Sequence, residues 1–477
     1  MNVRRLAAML LLAGFVALLV NIMTVQAFLM PSFAVYAAIL IAYALNAGKF
    51  VQTKGKPDGG VIGMEVGYGD GILRFDVPKG NVLAVLGTSE RRPEKSEADI
   101  VRGALGRPVG TPRLSEAARG KKRVAVITSD ITRPVPTAKV MPAILDELGA
   151  AGVGDGSVTL YFALGSHRRH TEEERARLAG GEAFARIKCV DAVGPYRRLG
   201  TTAAGTPVEV CEPVADADMR ICIGNIEYHY FAGYSGGAKA LIPGCASRDT
   251  IQANHRMMAM EGARAGNLDR NPVRDDLEEA ARFAPIDFIL NLVLDEGKRI
   301  VHASAGHYVD AHREGCAFID SMYKAPIPRK ADIVVTSPGG YPKDINMYQA
   351  QKALDNAKEA VKDGGTIILA AACGEGMGEA TFERWLAEAD GPDSLIERAQ
   401  SRFELGGHKA AAIAMVVKKA EVTLVSELDG AATESMYMRK AGSVGEALGR
   451  AFDRHGPGAE VIIMPYGAST LPYVAQA

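Results

Sequence analysis

Five short runs rich in β-branched and apolar residues recur along this chain, and each runs into Gly, Ser or Asp at its end. They are RVAVITSD (123–130), SVTLYFALG (157–165), MRICIGNI (219–226), ADIVVTSPGG (331–340) and GTIILAAACG (365–374). Helical patterns built from Ala, Leu, Glu and Lys lie between them, and this alternation is the punctuation of βα units in an α/β fold. In open sheets of this type ligands bind beyond the carboxyl ends of the strands. Asp130, His167 and a glycine-rich window at 228–244 all fall at or just after such ends. A chain of 477 residues exceeds one ordinary core. The proline-punctuated basic stretch PIPRK (326–330) marks a boundary. The expected architecture is therefore two α/β domains, 64–326 and 327–477, with the active site in the cleft between them. The end of the chain is expected to pack back on the first domain, and an apolar N-terminal segment, 1–63, precedes both.

Charge and cysteine content narrow the partner. A formal net charge of -1 gives no field for nucleic acid, and no basic run with interleaved aromatics is present. A small molecule is the expected ligand. The six cysteines carry no Cys-x-x-Cys pair, so they indicate neither a zinc ribbon nor a disulfide scaffold, and a reducing compartment is the simpler reading.

The window YHYFAGYSGGAKALIPG (228–244) carries the chemistry. His229 precedes Lys239 with Gly233, Gly236 and Gly237 between them, and His255 follows. Glycine lets backbone approach closely and takes positive φ without strain, so the lysine is reachable by a large planar partner. A phosphate-cradling P-loop needs Gly-Lys-Ser/Thr in sequence, and here Ala238 and Ala240 flank the lysine. A Schiff base between Lys239 and a pyridoxal-type cofactor is chemically sensible but leaves His229 and His255 unexplained. A plain glycine turn before a helix is the bland alternative.

Other segments weigh against the bland reading. Asp130, Thr132, Arg133 and Pro134 in SDITRPVPT, Gly165, His167 and Arg168 in GSHRRHT, and the window itself resemble elements of the nickel-dependent lactate racemase family. GNLDRNPVRDDLEEAA (266–281) and GGYPKDINMYQAQKAL (339–354) are similar to further segments of that family, so the resemblance runs from about residue 64 to the C-terminus. It implies a 2-hydroxy acid racemase or epimerase with a nickel-pincer pyridinium mononucleotide joined covalently to Lys239. By the same resemblance His167 and His229 are the two acid/base residues and His255 is the protein ligand of nickel. Asp130, Arg133, Gly236 and Gly237 adjoin the cofactor, and Gln349 and Lys352 reach the substrate carboxylate. Proteins that synthesise the cofactor are implied partners. His408 and Lys409 in GGHKAAAIA also look family-like, without an assignable role, whereas the single tryptophan, Trp385, has no clear match to the lactate pocket. The reaction type is thus better marked than the substrate.

The residue types suit such chemistry. The α-hydrogen of a hydroxy acid beside an ionised carboxylate is too weakly acidic for a histidine to remove as a proton. Its removal as hydride, with a base taking the hydroxyl proton, leaves a planar 2-keto acid reducible on either face. Two opposed histidines serve the two enantiomers, because imidazole exchanges protons near neutrality. Imidazole also suits nickel. Arg133 can grip a carboxylate or phosphate, and Asp130 can orient a histidine. Gln349 and Lys352 stand one turn apart on one helix face. His170, His302, His307, His312 and His455 are read as structural or surface residues. Two other classes stay open at this point: a different Lys-tethered cofactor enzyme, and a noncatalytic nickel or cofactor carrier.

No charged residue occurs from Leu6 to Gly48, while Arg4 and Arg5 precede the run and Lys49, Lys54 and Lys56 follow it. Leu6 to Met30 is long enough to cross a bilayer, and Phe33 to Asn46 is a second apolar segment. Three readings compete: a hairpin membrane anchor on a cytoplasmic catalytic region, a secretory signal cleaved after Val25-Gln26-Ala27, and a start codon chosen ahead of Met64.

Overall fold

The structure is a computed structural model that describes residues 60–475, apart from 88–92, Pro134, Glu296, Phe403 and Leu405. Two six-stranded sheets organise it. In spatial order the first sheet runs Ile300–Gly306, Phe288–Leu294, Met219–Asn225, Val124–Ser129, Val158–Ala163 and Lys188–Asp191. All neighbours are parallel except the first pair, which is antiparallel. Val124–Ile127 and Met219–Asn225 are buried throughout. Helices cover both faces of such a sheet, which is why these strands read as continuous apolar runs rather than as alternation.

The second sheet is parallel in every pair and runs Arg439–Lys440, Glu421–Val425, Val361–Ala370, Ala331–Thr336, Val461–Met464 and Val82–Val85. The chain therefore enters this sheet first through Val82–Val85, leaves to build the other, and returns after Ile327. The hairpin of Val61–Tyr68 and Gly71–Pro78 packs Val66, Phe75 and Val77 on the core of the second sheet, against Ile333, Val335 and Ile368. Its first strand begins three residues before Met64. Near the C-terminus, Leu471–Val474 pairs in parallel with Lys324–Ile327, the segment that links the two sheets.

Among the described residues the architecture contains no transmembrane helix, and the expectation of membrane spans is corrected to that extent. Among the described residues no helix is long and apolar enough to cross a membrane. The longest, Thr137–Ala150 and Asp310–Tyr323, have 14 residues each, against roughly 20 needed to span the hydrocarbon core. The apolar run at 6–48 lies outside the described residues.

Strand direction positions the site. Val124–Ser129, Val158–Ala163 and Met219–Asn225 are parallel, and the loops leaving their carboxyl ends carry Asp130, His167 and His229. From the second sheet come helix Met347–Ala357, with Gln349 and Lys352, and helix Gly407–Lys419.

Candidate active site

A cavity of about 810 Å³ opens where these elements meet. Asp130, Arg133, His167, His229, Gly236, Lys239, His255, Gln349 and Lys352 line it, and so do His408 and Lys409. Gly237 is not on its wall. The volume lies within the range of roughly 300–1,000 Å³ usual for small-molecule and cofactor sites.

His167 is held from behind. Its Nδ1 hydrogen-bonds Asp130 Oδ2, while Asp130 Oδ1 accepts from the backbone N–H of Thr132 at 3.1 Å and from its hydroxyl at 2.7 Å. Burial pushes the Asp130 carboxyl upward, but the hydrogen bonds and charges of His167, Thr132 and Arg133 outweigh it and hold the pKa below the usual value. The ionised carboxylate keeps the proton of neutral His167 on Nδ1, leaving Nε2 bare. A second histidine steadies the same loop: His170 Nε2 accepts from Ile131 N–H at 3.1 Å and its Nδ1 donates to Asp191 at 2.7 Å.

His229 lies in a short strand, Tyr228–His229, paired antiparallel with Gly233–Tyr234. Its Nδ1 accepts the Ala232 N–H at 3.2 Å, which puts the proton of the neutral ring on Nε2. Burial first, then the charges of Lys239 and Arg133, push its pKa well below the ordinary histidine value. Lys239 sits in the one-turn helix Gly237–Ala240, and burial, Arg274 and Arg133 hold its ammonium well below the ordinary lysine range. A neutral amine at that place is a nucleophile.

His255 ends helix Arg248–His255, whose N-cap Ser247 accepts from Thr250 N–H. Behind it, the Asn254 amide donates to Val273 O at 3.1 Å and to Asp276 at 2.8 Å. That fixes the amide oxygen as the acceptor facing His255 Nδ1 at 3.1 Å, so the proton of the neutral His255 ring sits on Nδ1. Burial and the neighbouring charges of Lys239, His408 and Arg133 keep it neutral.

Residues that carried no assigned role in the sequence hold the loop between His229 and Lys239. The guanidinium of Arg274, fully buried, donates to the backbone oxygens of Ala232 (3.2 Å), Gly236 (3.4 Å) and Tyr234. Asn271 caps helix Pro272–Ala280 and donates to Phe231 O at 2.9 Å. Asn291 accepts from Gly237 N–H at 2.8 Å, and His312, buried, hydrogen-bonds Ser235 O at 2.8 Å. The glycines serve this packing. A Cβ at Gly236 would lie 2.7 Å from Asn291 Oδ1, and one at Gly233 would lie 2.1 Å from Asn267 O. Both have positive φ.

Trp385 does not line the cavity. It is core, with Nε1 donating to Glu404 at 2.9 Å. Gly407 lies so close that a Cβ there would come within 2.2 Å of the indole. This contact seats the first turn of helix Gly407–Lys419 and so positions His408 and Lys409 on the cavity wall.

Residues 68–266 match the lactate racemase N-terminal domain, and residues 327–471 match the lactate racemase C-terminal domain. The lactate racemase of Thermoanaerobacterium thermosaccharolyticum is 36% identical over 424 residues, covering 86% of this chain and 98% of that protein. This chain belongs to the lactate racemase family. It is accordingly an isomerase. The lactate racemase of Lactiplantibacillus plantarum is 35% identical over 387 residues, covering 79% of this chain and 91% of that protein. The solved structure of the T. thermosaccharolyticum lactate racemase apoprotein superposes with a TM-score of 0.77 at 35% identity, over 86% of this chain and all of that one. A Thermotoga maritima protein, 18% identical with a TM-score of 0.56, shares the fold over 81% of this chain.

Proposed function

We propose that this lactate racemase family member interconverts the enantiomers of a small 2-hydroxy acid through its 2-keto acid, with a nickel-pincer pyridinium mononucleotide tethered to Lys239. The observation that carries the reading is the convergence on one cavity of a buried lysine, whose ammonium form is disfavoured by burial, and three histidines whose rings are each held by a named hydrogen-bond partner. Among the described residues no group of three or more His, Cys, Asp or Glu is arranged to hold a metal alone. A protein-only nickel site is therefore not what these residues form. They do fit an organometallic group that brings its own donors and needs one imidazole. His255 would supply that nitrogen through Nε2, Lys239 the covalent attachment, and Arg133 a charge for the phosphate. Held by Lys239 and His255, such a group would supply reversible hydride acceptance for the substrate α-hydrogen.

The chain's own residues then handle protons and position. His167, with Nε2 bare and Asp130 behind it, takes the hydroxyl proton, and the carboxylate stabilises the imidazolium that results. His229 starts in the opposite tautomer and presents Nε2–H, a donor to the substrate oxygen. It becomes a base for the other enantiomer when the ring releases the Ala232 N–H and moves its proton to Nδ1. Lys352 and Gln349, from the facing helix, hold the carboxylate so that either face of C2 is presented. Cofactor-synthesis proteins are required partners under this reading.

The test is intact-mass and nickel analysis of protein made in a host that synthesises the cofactor, with chiral chromatography of lactate. Lys239→Ala is expected to lose both the mass adduct and turnover. An adduct that survives this change would refute the tether, and a pyridoxal absorbance band without nickel would replace the cofactor.

A further inference from the structure

The first sheet reverses its order at one place. From Val124–Ser129 the chain moves outward through Val158–Ala163 to Lys188–Asp191, then returns to the other side of Val124–Ser129 as Met219–Asn225. In open α/β sheets a crevice forms beyond the carboxyl ends at such a switch point, and nucleotides bind there. One side of this crevice carries Asp130 and Arg133. The other carries Glu227, two residues beyond the end of its strand and two before His229. Glu227 is half-buried on the cavity wall, and its backbone is pinned. Its N–H donates to Ser235 Oγ at 2.9 Å, and its carbonyl accepts from Ser235 N–H at 2.9 Å.

Among the described residues the carboxylates of that wall are Asp130, Glu227, Asp295 and Asp355. Asp130 is engaged by His167 and Thr132, Asp295 by Arg299 at 2.6 Å, and Asp355 by Lys358 at 2.5 Å. The Glu227 carboxylate alone has neither a hydrogen bond nor an ion pair among the described residues. Its charge favours the Lys239 ammonium, against burial and the charges of Arg274 and Arg133. On the function proposed above, attachment through an amide-type bond at Lys239 removes that ammonium. The carboxylate then stands beside the tether without the charge that offset it, and leaving it without donors is costly. The substrate hydroxyl is already claimed by His167 and His229. A vicinal diol supplies what is missing, because it brings two O–H donors to the carboxylate and adds no charge. Acidic residues at switch points hold the ribose of dinucleotides in this way.

We propose that Glu227 clamps the ribose of the mononucleotide, its carboxylate accepting from the 2′- and 3′-hydroxyls at the switch point of the first sheet. The inference rests on the racemase reading of the same cavity.

The test is a calorimetric titration of the full-length chain, made without the cofactor, with nicotinic acid mononucleotide and with its 2′,3′-dideoxy analogue. The wild type is expected to bind the ribonucleotide about 10- to 100-fold more tightly than the dideoxy compound, the size of a hydrogen bond to a charged group. Glu227→Ala should weaken the ribonucleotide by a similar factor and leave the dideoxy compound unchanged, so that the two losses do not add. Glu227→Gln, which keeps the shape without the charge, should fall between them, and it decides the point if Glu227→Ala does not fold. Equal weakening of both compounds would make Glu227 a counter-ion of the pyridinium ring and overturn the clamp. A wild type that binds both compounds alike, or neither, overturns it too. A second arm weighs wild-type protein from a cofactor-synthesising host. Absence of an adduct on Lys239 refutes the function proposed above and leaves the titration to decide the clamp, whereas an adduct without ribose dependence in the titration refutes the clamp alone.

Discussion

Asp130→Asn isolates the proton chemistry of His167 with almost no change in shape. In the native site one carboxylate oxygen is occupied by Thr132, through N–H at 3.1 Å and hydroxyl at 2.7 Å, and the other faces His167 Nδ1. In the asparagine variant the amide oxygen must stay on the Thr132 side, where both partners are donors. The NH₂ then faces Nδ1, which becomes an acceptor, and the imidazole proton moves to Nε2. His167 no longer has a bare nitrogen toward the substrate. The corresponding change of a buried Asp behind a catalytic His in serine proteases lowers kcat about 10⁴-fold. A loss of about 10³–10⁴-fold, or roughly 4–5.5 kcal/mol of transition-state stabilisation, is expected here. Because the equilibrium constant of a racemisation is one, kcat/KM must fall equally from both enantiomers. Asymmetry is confined to kcat and KM separately. The assay is initial rates from each pure enantiomer by chiral chromatography, with ¹⁵N NMR of the imidazole in the same protein. Rates within about threefold of wild type, or a proton that remains on Nδ1, would refute the argument.

His255→Ala should lose bound nickel while keeping the organic adduct on Lys239, read by elemental analysis and intact mass; unchanged nickel content would remove the ligand assignment. Arg274→Met leaves the carbonyls of Ala232, Tyr234 and Gly236 without their buried donor and is expected to cost about 3–5 kcal/mol in urea unfolding; a loss below about 1 kcal/mol would show that the loop is held elsewhere. Lys409, facing Lys352, Arg133, His408 and Asp355, has its pKa lowered to about 7 by burial and then by Lys352 and Arg133. Between about pH 7 and the unfolded pKa near 10.4 the unfolded chain binds the extra proton, so native stability rises with pH across that window. Lys409→Met should flatten this rise and stabilise the fold most at pH 7 and below, and an unaltered pH–stability slope would contradict it.

Strands buried on both faces were legible because their runs are continuous and end in turn residues. The reading at 123–130 meets Val124–Ser129, and that at 219–226 meets Met219–Asn225. Val82–Val85 and Val461–Met464, four residues each, carry too little pattern to be read, although they place the N-terminal hairpin on the second sheet. The chemical residues were singled out by type and spacing and given their roles by the family resemblance, and Lys239, His229 and His255 share one cavity. Their supports were not legible. Arg274 lies 38 residues from Gly236, Asn291 lies 54 from Gly237, and His312 lies 77 from Ser235, so only the fold brings them together. The glycines also carry a packing role that the sequence did not show: Gly236 and Gly237 admit Asn291 and His312 against the backbone.

The electrostatics of the cavity link these parts. Burial and the charge of Arg133 keep the His229 imidazole neutral, and Arg133 adds to the charge that depresses Lys409. A neutral imidazole is the form that exchanges a proton as a base, so an electropositive wall prepares the site before substrate arrives. The same wall attracts anions, and each anion that binds lowers the local positive potential. Substrate binding therefore raises the basicity of the histidines it approaches, at the moment a hydroxyl proton must be taken. A neutral substrate would fill the space without this effect. The requirement for an ionised carboxylate thus follows from the proton chemistry as well as from binding, and an amide analogue of the substrate should lose turnover by more than it loses affinity.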